Sequence, residues 1–172
     1  MKKALLLAIF ALCIQTINSQ SKPDRNGNLI GYMQKSDLMT SNFKKWFEPN
    51  YHSYEPNEKV VKKIKKSIKG ITIKSFVGTW CHDSKRVIPR LYKILETAGF
   101  DFNNNAKMVG ISRGKKTPDN LQEGYHIKHT PTIIFYKNGK EIGRFVEHAR
   151  QTLEKDILKI LKGKKYKHSY QK

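Results

Sequence analysis

The sequence has few cysteines, few acidic residues and no apolar run long enough for a comfortable membrane span. Its 172 residues include two cysteines, and 14 acidic residues stand against 34 lysines and arginines, a formal net charge of +20. The apolar run from Ala4 to Ile14 is shorter than the roughly 20 residues that a spanning helix needs. The length suits one domain of about 100–150 residues with extensions.

The first residues predict a secretory signal peptide over 1–20, because a positive start precedes the apolar run and small polar residues follow it. Its removal would take away Cys13 and leave Cys81 as the single cysteine of a periplasmic or secreted protein. A single cysteine cannot form an internal disulfide. In an oxidising compartment it is either buried and inert or reactive toward another molecule. The alternatives to a cleaved signal peptide are an uncleaved membrane anchor and a lipid-modified Cys13. Lipid modification expects a small residue before the cysteine, and Leu12 stands there.

The positive charge lies mostly in lysine-rich stretches and predicts a solvated basic surface on a soluble monomer. No nucleic-acid motif accompanies it, so we do not expect nucleic acid as a partner. The alternative is electrostatic attraction to an anionic envelope surface or to acidic partners.

The order of helical and extended patterns predicts one α/β domain over 57–162. The order is α-β-α-β-α-β-β-α, with parallel strands joined by crossovers and an antiparallel closing hairpin. The predicted elements are an amphipathic helix at 57–69, a strand at 71–77, a helix from Asp83 or Ser84 to about Thr97, a strand at 106–111, a short helix at 118–124, a hairpin of 132–136 and 141–146, and a final helix at 151–161.

Two flanking segments complete the chain. Residues 21–56 form an N-terminal aromatic extension, which is irregular or a short hairpin at 22–35 and then a helix that Ser36 caps and Pro49 ends. This aromatic segment is predicted to pack against the main domain, or else to present a surface to a partner. Residues 163–172 form a basic tail that is predicted to be disordered.

Three features of the domain together indicate a known superfamily. Trp80-Cys81-His82-Asp83-Ser84 lies between a strand and a helix, Pro89 follows Cys81 by eight residues, and Thr130-Pro131 precedes the hairpin. In this order they resemble the thioredoxin superfamily over roughly 57–162, and Thr79 to Leu91 is similar to exported thioredoxin-like proteins of bacteria. The resemblance implies a thioredoxin-like fold, a central mixed sheet flanked by helices, with a cis-proline at Pro131 facing the cysteine.

Cys81 is predicted to be a reactive, partly exposed nucleophile. It comes just before a helix, whose free N–H groups and dipole favour an anion. His82, Lys85 and Arg86 add positive potential that favours the thiolate, whereas Asp83 opposes them or caps the helix. We expect Trp80 to shield the sulfur and Ser84 to donate a hydrogen bond to it. The alternative is an inert structural cysteine.

The sequence departs from the superfamily's dithiol pattern at two positions. Ser84 replaces the second thiol, which resolves a mixed disulfide, and Ser75 stands where dithiol members often carry a buried carboxylate. What remains is monothiol exchange or isomerisation through Cys81, with a client protein or a small thiol or disulfide and an external reductant as partners. Thr130 and Pro131 would offer a client backbone hydrogen bonds by strand addition.

Other functions fit the sequence less well. A redox-inactive binding or chaperone-like module is the main alternative, since a fold does not guarantee a function. A peroxidase of the peroxiredoxin type needs a hydroxyl residue where Gly78 stands. We expect no cofactor and no metal, although Cys81 with three histidines would suit copper or zinc; these are His82, His126 and His129.

Overall fold

The computed structural model of the protein describes residues 20–171, so the predicted signal peptide, apart from Gln20, lies outside the described residues. The elements in chain order are β1 (Lys22–Pro23), β2 (Leu29–Met33), α1 (Lys35–Leu38), α2 (Ser41–His52), α3 (Glu58–Ser67), β3 (Ile71–Val77), α4 (His82–Thr97), α5 (Phe102–Asn105), β4 (Ala106–Gly110), β5 (Thr132–Lys137), β6 (Lys140–Val146) and α6 (Leu153–Leu161). Over residues 20–171, no helix combines the length and the apolar character needed to cross a membrane.

The strands form one mixed sheet in the order β1-β2-β4-β3-β5-β6. The central strand β3 pairs in parallel with β4 and antiparallel with β5, and β5 and β6 form the closing hairpin. Asn138 and Gly139 turn this hairpin with φ of 51° and 74°, the left-handed conformations that a two-residue turn requires. The predicted fold, a mixed sheet flanked by helices, is confirmed.

Side chains that alternate along the strands enter two hydrophobic clusters. Ile73 and Val77 of β3 belong to the main core, which also contains the buried side chains of α2, α3, α4 and α6. Phe76, between them, points to the other face of the sheet, where a smaller cluster is covered in part by Leu121 and Tyr125. The main core therefore lies between the sheet and the helices, and the long segment 112–131 closes the second face.

The segment 118–124 does not form the predicted helix. It consists of turns, and Asn120 and Gly124 have φ of 51° and 77°. The Thr117 hydroxyl accepts from the Leu121 N–H at 2.8 Å, and the Thr117 N–H donates to the Gln122 side chain at 2.9 Å. These side-chain hydrogen bonds replace the backbone bonds of a helix.

The helical boundaries in the aromatic extension also differ from the prediction. Ser36 lies inside the short helix α1 rather than at its N-cap, and Pro49 lies inside α2 rather than at its end. Pro49 falls in the last turn of α2, so few backbone bonds depend on it. The Pro49 carbonyl still accepts from the Ser53 N–H at 3.0 Å.

The aromatic extension packs against the main domain, as predicted. Its strand β2 pairs antiparallel with β4, so the extension completes one edge of the sheet. Phe47 of α2 contacts Tyr92 of α4 with ring centroids 5.7 Å apart. Glu96, also on α4, accepts from Lys35 Nζ at 2.7 Å and from the Tyr51 hydroxyl at 2.7 Å. Burial, followed by the hydrogen bond to Glu96, raises the pKa of Tyr51 to about 12.

The residues after the extension's helix are joined to α6 by a buried carboxylate. Glu154 is 4% exposed and accepts from the Tyr54 hydroxyl at 2.6 Å. Burial opposes ionisation of Glu154, but hydrogen bonds from Tyr54, the backbone and Thr152 outweigh it and hold the pKa of this carboxyl below its ordinary value.

Replacing Glu154 with Gln is expected to destabilise the fold at neutral pH by about 1–3 kcal/mol, because the Tyr54 hydroxyl loses a charged acceptor. The folded-state pKa of Glu154 lies below its ordinary value of 4.5. Its stabilisation is therefore complete above that value and is lost as the pH falls through the folded-state pKa. Urea unfolding from neutral pH down to about pH 3 should show the difference shrinking in acid. Glu58→Gln, at an exposed carboxylate on α3, is the control, and a difference that stays constant with pH contradicts the prediction.

Candidate functional site

Cys81 occupies the N-cap of α4, with φ of −85° and ψ of 129°. Its N–H donates to the Gly78 carbonyl at 2.9 Å, and its own carbonyl accepts from the Lys85 N–H at 3.0 Å. The helix begins at His82, one or two residues before the predicted start at Asp83 or Ser84. The side chain of Cys81 therefore leaves the chain where the helix still has free N–H groups.

The structure brings Cys81 together with Thr130 and Pro131. The Cys81 thiol donates to the Thr130 carbonyl, with an Sγ–O distance of 3.2 Å, and the Thr130–Pro131 peptide bond is cis. Cys81 is only 9% exposed, so the prediction of a partly exposed cysteine is wrong. The loop that ends in Pro131 lies against the sulfur, and a carbonyl oxygen accepts only from the protonated thiol.

Trp80 is fixed beside the cysteine by contacts from three directions. Its indole Nε1–H donates to the Ile111 carbonyl at 2.9 Å. A Cβ placed on Gly78 would lie 2.6 Å from the indole ring, so the ring occupies the space that a side chain there would need. The guanidinium of Arg113 lies 5.0 Å from the ring centroid, within the range of a cation–π contact.

Ser84 does not make its predicted hydrogen bond to Cys81. Its side chain is fully buried, and its Oγ accepts from the Gly78 N–H at 3.3 Å. The hydroxyl thus ties the start of α4 to the loop before Cys81. Ser75, which is 1% exposed on β3, likewise provides no ionisable group beneath the site.

The charges around Cys81 are partly paired with one another. Asp83 accepts from Arg86 at 2.8 Å, so Arg86 contributes less positive potential than the sequence suggested. His82 is exposed. Lys85 forms no ion pair with any residue in the described part of the chain, and it is the cation one helical turn beyond Cys81.

The Pro131 loop is held by Glu147 and Tyr170, which sequence reasoning did not identify. The Glu147 N–H donates to the Pro131 carbonyl at 2.8 Å, and the Glu147 carboxylate lies 3.2 Å from His129 Nδ1. Tyr170 of the C-terminal tail stacks on His129 with ring centroids 3.6 Å apart and donates its hydroxyl to Glu147. This hydrogen bond, followed by burial, raises the pKa of Tyr170 to about 12.

The tail is therefore not disordered over 163–171, contrary to the prediction. The Tyr166 hydroxyl donates to Asp156 at 3.1 Å, and the Ser169 hydroxyl donates to the Val146 carbonyl at 2.6 Å. The signal that was available is the pair of tyrosines, Tyr166 and Tyr170, in an otherwise lysine-rich segment. Aromatic side chains have enough apolar area to dock a short segment on a domain.

The metal-binding alternative built on Cys81 and histidines finds no support in the described geometry. Among residues 20–171, the group of three ligand-type side chains that converge is Asp83, Glu147 and His148, whose ligand atoms lie within 4.8 Å of one another. Neither Cys81 nor the histidines predicted for that alternative belong to it. Asp83 and Glu147 are already engaged by Arg86, His129 and Tyr170.

Comparisons with known proteins agree with this fold. Residues 53–159 match the family model for thioredoxin. The chain is 34% identical over 93 residues to a thioredoxin-like protein of Acanthamoeba polyphaga mimivirus, a match that covers 52% of this chain and 62% of that protein. It is 26% identical over 91 residues to a thioredoxin of Arabidopsis thaliana, covering 53% of this chain and 60% of that one. The chain thus spans less than two thirds of the length of these two relatives.

A solved structure shows the same fold. The chain superposes on a protein of unknown function from Pseudomonas aeruginosa with a TM-score of 0.56 and 16% identity, over 78% of this chain and 93% of that one. The family match covers more than half of the chain, and a thioredoxin domain is consistent with a thiol–disulfide redox function. This chain belongs to the thioredoxin family.

Proposed function

We propose that this is an exported protein that performs monothiol thiol–disulfide exchange through Cys81. The observation that carries the proposal is the position of Cys81 at the N-terminus of α4, in contact with the loop of the Thr130–Pro131 cis peptide, while Ser84 and Ser75 replace the groups of the resolving step. Export is supported by the charged start and apolar run of residues 1–20, and the intact mass of the secreted protein tests it.

The chemistry needs a second molecule at each step. The Cys81 thiolate attacks one sulfur of a disulfide, forming a mixed disulfide and expelling the other sulfur as a thiolate, which takes up a proton. Cys81 is oxidised and the departing thiol is reduced. An external thiol, as its thiolate, then attacks the partner's sulfur in the mixed disulfide and restores Cys81. A client protein, or a small thiol or disulfide, would supply the substrate.

The residues around Cys81 have definable parts in this exchange. The Thr130 carbonyl holds the thiol until a substrate arrives, and the loss of that proton frees the carbonyl for a substrate's N–H. The N-terminus of α4 stabilises the negative charge on the sulfur during attack and release. Trp80, fixed by Ile111 and Arg113, limits the approach of solvent from one side.

One observation favours a second function, that of a redox-inactive binding module. Cys81 is 9% exposed and its thiol is hydrogen-bonded, as expected for a cysteine that only packs. In that case the Pro131 loop and its neighbours would bind a partner without covalent chemistry.

Treating the folded full-length chain with 2-hydroxyethyl disulfide is expected to place one adduct on Cys81, which excess thiol removes. Peptide mass mapping separates this adduct from any on Cys13, and Cys81→Ser should abolish it. The unfolded chain is the positive control, because all its thiols are accessible. A folded protein that stays unmodified at Cys81, while the unfolded chain reacts there, overturns the exchange function and favours the binding module.

A further inference from the structure

A cavity of about 480 Å³ lies beside the cysteine loop, between that loop and the N-terminal extension. The turn between β1 and β2 forms one wall, with Asn26. The helix α2 forms another, with Asn42 and Trp46. Trp80 and Arg113 close the third. Its volume lies within the range of small-molecule sites, about 300–1,000 Å³.

The charge on the walls of this cavity has one sign. Lys85 and Arg113 are its two cations, and no acidic side chain lines it. Neither cation is paired within 4.0 Å to a carboxylate of the described residues. Asp24 does not line the cavity; its carboxylate accepts from the Asn26 and Asn28 N–H groups at 2.8 and 2.9 Å and interacts electrostatically with Arg113 without forming an ion pair. The cavity therefore favours an anion, and its asparagine amides provide further donors.

The cavity also borders the loop that carries Cys81, although the Cys81 side chain itself does not line it. Thr79 and Trp80, which directly precede Cys81, line it, and so does Lys85, one helical turn after Cys81 on α4. A molecule held there lies next to the segment that carries the sulfur. The rings of Trp46 and Trp80 offer apolar surface for the part of that molecule that is not charged.

We propose that this cavity binds the carboxylate-bearing portion of a small anionic disulfide or thiol and presents its sulfur to Cys81. The proposal rests on the exchange function above and names the class of its substrate. Lys85 and Arg113 bind the carboxylates. The bound disulfide is the oxidant: its S–S bond breaks, the Cys81–sulfur bond forms, and the departing thiolate takes up a proton from solvent.

Binding is measured without chemistry in the Cys81→Ser variant. The chain has two tryptophans, Trp46 and Trp80, and both line the cavity, so intrinsic fluorescence reports its occupancy. Titration with glutathione disulfide, the anionic probe, is expected to give a saturable change, whereas cystamine, a cationic disulfide, gives none. In the Cys81→Ser background, the further substitutions Lys85→Gln and Arg113→Gln should raise the dissociation constant for glutathione disulfide about tenfold, because two charged contacts are lost.

The matched control removes two charges elsewhere. Lys59→Gln with Lys65→Gln, both exposed on α3, changes the net charge equally and should leave binding unchanged. Equal weakening in both double variants shows attraction by net charge alone and overturns the site. An unsaturable titration of the Cys81→Ser protein also overturns it.

A kinetic measurement separates this inference from the exchange function. With Cys81 intact, the rate of adduct formation by glutathione disulfide should saturate and fall in the Lys85→Gln and Arg113→Gln variant. The rate with neutral 2-hydroxyethyl disulfide is the reference, because the loss of the Arg113 contact with Trp80 and of the Lys85 charge beside Cys81 changes both rates alike. The ratio of the two rates is therefore expected to fall about tenfold. If both disulfides react and the ratio of their rates does not change in this variant, the exchange function stands and the proposed binding site is overturned. No reaction with either disulfide overturns the exchange function itself.

Discussion

Replacing Ser84 with cysteine is expected to give the protein a dithiol site in place of the proposed monothiol one. Cys81 is the N-cap of α4 and Ser84 is its N3 residue, two positions whose side chains lie close enough to interact. A thiol at 84 would attack the mixed disulfide on Cys81 from within the same molecule. Intramolecular attack benefits from a high effective concentration, so we expect the mixed disulfide to decay at least about 100-fold faster.

The measurement is turnover of insulin disulfides with dithiothreitol as the reductant, together with the lifetime of the mixed disulfide by mass spectrometry. Ser67→Cys is the matched control, because it adds a thiol on α3, outside the site, and should not shorten the lifetime. A Ser84→Cys protein with an unchanged mixed-disulfide lifetime contradicts the prediction. It would show that the site lacks more than a second thiol, with Ser75 as the next position to test.

Gly110→Ala is expected to separate the N-terminal extension from the sheet and to destabilise the fold by about 2–3 kcal/mol. Gly110 pairs with Gly31 across β4 and β2. A Cβ at Gly110 would lie 2.2 Å from the Leu29 carbonyl oxygen. That atom belongs to the backbone, so the clash is relieved only by moving β2 away from β4 and losing ladder hydrogen bonds.

Urea unfolding measures this loss as a lower midpoint, and the slope falls as well because a native state with a displaced extension buries less surface. Gly114→Ala is the matched control, since the nearest atom to a Cβ there is the Ser112 hydroxyl at 3.8 Å. Because the turn with Asn26 and Asn28 leads directly into β2, Gly110→Ala should also weaken anion binding in the proposed cavity. Equal stability of both alanine variants would contradict the role of the extension as an edge of the sheet.

The elements nearest the cysteine were the most accurately predicted. The strand at Ile71–Val77 was predicted with the bounds that the structure shows, because its β-branched residues follow a helix stop at Gly70. The amphipathic helix before it begins after Asn57, whose side chain accepts from the Val60 N–H. These features depend on residues that are neighbours along the chain, so they can be predicted directly from the sequence.

Predictions that depended on distant partners were less accurate. The exposure of Cys81 is decided by Thr130, which is 49 residues away. The hydrogen bond of Ser84 goes to Gly78 because the loop before Cys81 folds back over the start of α4. The tail docks because Tyr170 stacks on His129 and donates a hydrogen bond to Glu147. None of these contacts leaves a periodic pattern in the sequence.

The sequence by itself determined the family, the strands and the three longer helices of the domain, and the presence of one thiol where the dithiol pattern has two. Those properties follow from residue identity and from local spacing. The sequence did not predict the short helix α5, and its helix at 118–124 was wrong. Only the tertiary structure decided that Cys81 is covered, that the tail reaches the Pro131 loop, and that the extension and the cysteine loop enclose a cavity with Lys85 and Arg113. Such contacts join segments that are far apart in the chain. They form only when the whole core packs together, so no local sequence pattern predicts them.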